Sequence, residues 1–113
     1  VPYLVNDPET LNLHPLLHQV AAFVAWHFGL ATITSLYRPG DSGVHGTMPV
    51  RGMDLRIHDP EAGHVIQERV NRVWQYDSLR PELEVAIFHN VGRGAHLHLQ
   101  VHPNTRRRDN ANV

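Results

Sequence analysis

Seven residues, Ala95-His96-Leu97-His98-Leu99-Gln100-Val101, combine two imidazoles with strict apolar and polar alternation. That alternation is the period of a half-buried β-strand, so His96, His98 and Gln100 share one face while Leu97, Leu99 and Val101 fill the other. A neutral imidazole is both a metal ligand and a base that works near neutral pH, and a strand holds it more rigidly than a loop. A solvated strand face is the other meaning of such a pair. Further candidates lie upstream. His45 sits among Pro39, Gly40, Gly43, Gly46 and Pro49, too many breakers for regular structure, and so on an exposed loop able to carry function. Asp54 falls inside a strand-like run over 52–57, out of phase with Met53, Leu55 and Ile57. A carboxylate there needs a partner, and a cation or an arginine would serve.

The elements that must position these residues are legible in the pattern. Pro15 suits a first helical turn, Leu16, Val20, Phe23, Val24, His27 and Phe28 recur at helical spacing, and Gly29 supplies a stop. His27 on that stripe reads as a core histidine, and Trp26, with His18 and Ala22, as half exposed. Residues 31–37 form a short β-branched strand that delivers Tyr37 and Arg38 to the loop of His45. Asp59-Pro60-Glu61 is a strong helix start. The second helix runs to about Tyr76, with Val65, Ile66, Val70, Val73 and Trp74 as its buried stripe. Residues 83–89 form a third strand, and Asn90 to Gly94 turn the chain back into the His96 strand as a hairpin. If Ala86 and Phe88 share the core face with Leu97 and Leu99, His89 pairs with His96 and Ile87 with His98. Three histidines then lie on one face.

Composition narrows the chemistry. The 113 residues make one domain, 1–113, with 103–113 expected as a frayed tail. There is no cysteine, so any metal must be held by nitrogen and oxygen. Ten histidines are many for this length, and all ten basic residues are arginine. A net charge of -1 offers no broad field for nucleic acid or membrane, and the Arg106 to Arg108 run reads as a solvated end. No apolar run approaches the ~20 residues of a membrane span, and no basic-then-apolar signal segment opens the chain.

Four pieces in order, Thr34-Ser35-Leu36-Tyr37-Arg38-Pro39, Ser42-Gly43-Val44-His45, Arg51-Gly52-Met53-Asp54 and His96-Leu97-His98, resemble the zinc peptidase superfamily of D-alanyl-D-alanine carboxypeptidases, phage endopeptidases and the Hedgehog signalling domain. The similarity extends from the first helix to the end of the His96 strand. It implies an α+β fold, a small antiparallel sheet with two helices on one face and a His/Asp zinc site on the other. It implies zinc ligation by His45, Asp54 and His98, with a fourth position open, as in catalytic zinc sites. Arg38 matches a family arginine near the substrate, able to clamp a carboxylate in a fork, and His96 a group close to the reacting atoms. The implied activity is that of an endolysin-like hydrolase, a metallopeptidase cutting peptidoglycan stem peptides in the cell wall. Two departures stand out. Eight residues separate His45 from Asp54, more than family members usually have, and no Asp or Glu occurs between Glu84 and His98, where the family carries a catalytic carboxylate. His89 takes that strand-end place, and imidazole can act as a base. A non-catalytic, zinc-stabilised binding or structural module, for example in a phage particle, is the competing expectation.

Overall fold

The computed structural model describes residues 13–29, 32–35, 42–43, 49–90 and 94–108, and over them the chain is a small α+β fold. Helix α1 spans Pro15–Phe28, β1 Ile33–Ser35, β2 Gly52–Arg56, α2 Pro60–Val73, β3 Trp74–Gln75, β4 Ala86–Asn90, β5 Ala95–Gln100 and β6 Arg106–Arg107. The main sheet has the order β1-β2-β5-β4, antiparallel throughout, and β3 pairs separately with β6. Among the described residues no helix is long and apolar enough to cross a membrane.

Both helices start at proline, and in each the preceding residue caps the first turn. Asp59 Oδ1 accepts from the Glu61 N–H at 3.0 Å, as the sequence signals. At α1 the cap is His14, whose Nδ1 accepts from the Leu16 N–H at 3.1 Å. That role requires a bare Nδ1. Burial, followed by the nearby Arg51 and His102, holds the His14 pKa below its ordinary value and so favours the neutral form.

The core faces differ from the expected stripes on both helices, where Phe28 as well as His27 and Val65 turns outward. On α1 the buried side includes Leu17, Ala21 and Ala25, while His27, expected in the core, is exposed and packs its ring on Phe23 at 4.4 Å. Alanine carries too little hydropathy to announce a buried face, which rotates the apparent stripe away from the real one. Trp26 is 76% exposed, well beyond half. On α2 the buried set is Gly63, Ile66, Val70 and Val73, spaced three, four and three. Val65, one position off that line, turns outward and is 52% exposed. The helix also stops at Val73, because Trp74 is extended (φ -118°, ψ 140°) and joins β3.

Gly63 is required by close packing. A Cβ there would run into the Phe88 ring of β4. Alanine gains up to ~1 kcal/mol in helix propensity over glycine, but overpacking typically costs ~1–3 kcal/mol, and Phe88 is itself part of the core. Gly63→Ala is expected to destabilise the fold by about 1 kcal/mol net, read as a lower urea midpoint at unchanged slope. A raised midpoint would show that the ring swings aside freely.

Residues 103–108 are not a frayed tail. Thr105 is 5% exposed; its hydroxyl donates to the Tyr76 carbonyl at 2.8 Å and accepts from the His102 N–H at 2.9 Å. The Arg108 N–H donates to the Val73 carbonyl at 2.8 Å, and the Arg107 guanidinium lies 5.6 Å from the Trp74 ring centroid. The polar run thus closes on β3 through backbone pairing and a cation–π contact, neither of which composition announces. The rest of the expected tail, 109–113, lies outside the described residues.

Candidate functional site

Register decides which polar side chains meet. Gly52 pairs with Gln100, Asp54 with His98 and Arg56 with His96 across β2 and β5. Ile87 pairs with His98 and His89 with His96 across β4 and β5, the pairing expected from the hairpin pattern. Met53, Leu55, Ala86, Phe88, Leu97 and Leu99 join Leu17, Val20, Ile66 and Val70 of the helices in one core. The opposite phase of the same strands therefore carries Asp54, Arg56, His89, His96, His98 and Gln100 on the other face.

At the centre of that face Asp54 and His98 touch. Asp54 Oδ1 lies 2.8 Å from His98 Nδ1, and the side chains are 14% and 15% exposed. Water is mostly excluded, yet a small group can still reach them, so their interaction is stronger than on an open surface. Asp54, whose place inside a strand called for a cation or an arginine, has a histidine as its neighbour. On the far side of the ring, His98 Nε2 is 3.1 Å from Gln100 Oε1, and Gln100 Nε2 donates to the Glu84 carbonyl at 2.8 Å.

One rung along, the His89 and His96 rings stand 5.0 Å apart between centroids, tilted by 33°. Thr34, Asp54, Arg56, His58 and His96 line a hollow of about 280 Å³. Arg56 and His58 also edge a larger hollow of about 420 Å³ toward Phe28 and Ile66. The second metal histidine implied by the resemblance, His45, lies outside the described residues, as do Arg38 and Tyr37. Among the described residues no group of three or more metal-binding side chains converges. Asp54 and His98 bring two.

The donor set agrees with a metal such as zinc. The atoms that approach are an imidazole nitrogen and a carboxylate oxygen, both ordinary zinc ligands in a chain without thiols. Bond lengths of ~2.0–2.2 Å place neighbouring ligand atoms about 3.3 Å apart in a tetrahedron. The 2.8 Å contact would have to open by only about half an ångström. The pair is not arranged as the base of a serine triad. Ser35 lies beyond Asp54 on β1, and the nitrogen such a triad would turn toward a hydroxyl faces Gln100.

Reading residues by type overlooked His58, which reaches the hollow from the connection after β2 and has no periodic signal. Gln100 shares the outer phase of β5 in the sequence, but its two hydrogen bonds depend on distances that no spacing contains. Fold and site together define a small α+β domain with a histidine-rich outer sheet face. No family model, curated protein or solved structure matches the chain.

Proposed function

We infer that this chain is a zinc peptidase domain acting on peptidoglycan stem peptides, with Asp54 and His98 as two ligands and His45 as the third. The observation that carries the reading is the contact of Asp54 Oδ1 with His98 Nδ1 at 2.8 Å on an outer sheet face. These residues are the last two ligands implied by the resemblance, 44 positions apart in the chain. Zinc held there would supply Lewis acidity, polarising a peptide carbonyl and acidifying water. The protein's own groups must handle the proton and the substrate. His89 and His96, one rung from His98, are the imidazoles able to accept a proton and return it to the departing amine. The hollow beside Asp54, with Arg56 and His58 on its wall, leaves room for a peptide and offers charge to its carboxylates. Arg38 keeps the substrate-clamping role implied by the resemblance.

One observation favours the second reading, a zinc-stabilised module without catalysis. Opposite His98 on β4 stands Ile87, and the outer phase of β4 and β5 carries no carboxylate. Metal content and hydrolysis of purified peptidoglycan separate the two readings. Stoichiometric zinc with release of stem-peptide fragments is the expected result, and His89→Ala should keep zinc and fold while losing most hydrolysis. Zinc without hydrolysis hands the chain to the binding module, and a protein that takes up no zinc overturns both.

A further inference from the structure

We propose that the hollow between α1 and the β3–β6 pair is a second binding site, one that takes a small aromatic carboxylate. The hollow measures about 620 Å³ and is walled by His18, Phe23, Trp26 and His27 of α1, by Trp74 of β3 and by Arg107 of β6. Pockets that enclose small molecules run to roughly 300–1,000 Å³ and are likewise mostly apolar with a few placed polar groups. None of these side chains belongs to the histidine face of the main sheet, so zinc uptake has no bearing on this site.

The chemistry of the ligand is set by what the wall lacks. Trp74 is 3% exposed, and its indole Nε1 is one of two buried side-chain atoms without a hydrogen-bond partner among the described residues. An indole N–H only donates, and buried donors are almost always paired. Trp74 therefore calls for an oxygen lone pair that the described residues do not supply. The Arg107 guanidinium lies 5.6 Å from the centre of the same ring and makes no ion pair among the described residues. No Asp or Glu lines the hollow, so a negative charge is attracted there and not repelled. The rest of the wall is aromatic. Phe23 packs on His27 with ring centres 4.4 Å apart, and Trp26, 76% exposed, offers a face on which a flat ring can stack. A carboxylate on a flat apolar body answers all of these features at once. The indole N–H is itself covered, so the carboxylate reaches it by displacing a side chain. Arg107, an exposed arm laid on that ring, can move aside while keeping its charge beside the ligand.

The chain has two tryptophans, and both line the hollow, so the two indole N–H signals of nitrogen-labelled protein report on it directly. The probe is naphthoate at neutral pH, with naphthalenemethanol as its uncharged counterpart, and Trp26→Phe assigns the signals by removing one. Both signals are expected to shift with millimolar naphthoate, that of Trp74 downfield as its N–H gains an acceptor. The alcohol should bind about tenfold more weakly. Arg107→Gln should weaken naphthoate binding by about tenfold and change that of the alcohol little. Acid and alcohol binding equally well to the wild-type protein would overturn the proposal, and that comparison does not depend on any variant folding. So would a Trp74 signal that stays in place when naphthoate saturates the site, and so would two signals that never move.

Discussion

His98→Ala is expected to lower zinc affinity by about a thousandfold and to reduce stem-peptide hydrolysis to background, and Asp54→Ala to do the same. Zinc bound by protein side chains releases on the order of 10–16 kcal/mol. With the three ligands proposed above, removing one forfeits roughly a third of that, ~4 kcal/mol, or about three powers of ten. Asp54 and His98 are in direct contact, so their losses should not add. The double variant should bind more weakly than either single, by less than the sum of the two losses. Competition with a chromogenic chelator reads all three variants. Near-full occupancy in His98→Ala or in Asp54→Ala would remove that residue from the metal.

The second large effect concerns stability, far from the histidine face. Asp77 is 3% exposed, and its carboxylate gathers the turn after β3 and the loop before β6. Oδ1 accepts from the Leu79 N–H at 3.0 Å and from Asn104 Nδ2 at 3.3 Å, while Oδ2 accepts from Arg80 Nε at 3.1 Å. The Leu79 N–H is the largest influence on its pKa, and with Arg80 and Asn104 it outweighs burial and holds the carboxyl below its usual range. The sign follows from linkage. A depressed folded-state pKa means that the unfolded chain takes up a proton first. The stabilisation is therefore complete above the unfolded value near ~3.9 and is lost as pH falls through the lower folded value. Asp77→Ala leaves three donors without their acceptor and is expected to lower the thermal midpoint at neutral pH by about 10 °C. Asp77→Asn keeps an acceptor for Leu79 and should fall less. The gap between wild type and Asp77→Asn should narrow only below about pH 4; a gap that closes already between neutral pH and that point would contradict the carboxylate's role.

What the sequence determined by itself is the set of faces. Strict alternation over 95–101 and through Met53, Asp54 and Leu55 assigns inner and outer side chains without any knowledge of neighbours, because successive Cβ atoms in a strand point opposite ways. The same logic yields the pairing of His89 with His96 once the core phase of each hairpin strand is chosen, since a one-residue slip would expose Leu97 and Leu99. The starts of both helices are equally local: a proline at the first position, with Asp59 a ready cap for α2. Tertiary structure alone decided what lies across from what. That Asp54 meets His98 depends on β2 docking beside β5, across 44 positions of chain. Whether the polar run after Pro103 frays or folds depends on the open edge of β3. Val65 by residue type and His27 by its place on the apolar stripe look like core, and the direction from which the sheet approaches each helix turns both outward. Periodicity is written in neighbouring residues, whereas pairing and docking are properties of segments distant in the chain, settled only when the whole core closes.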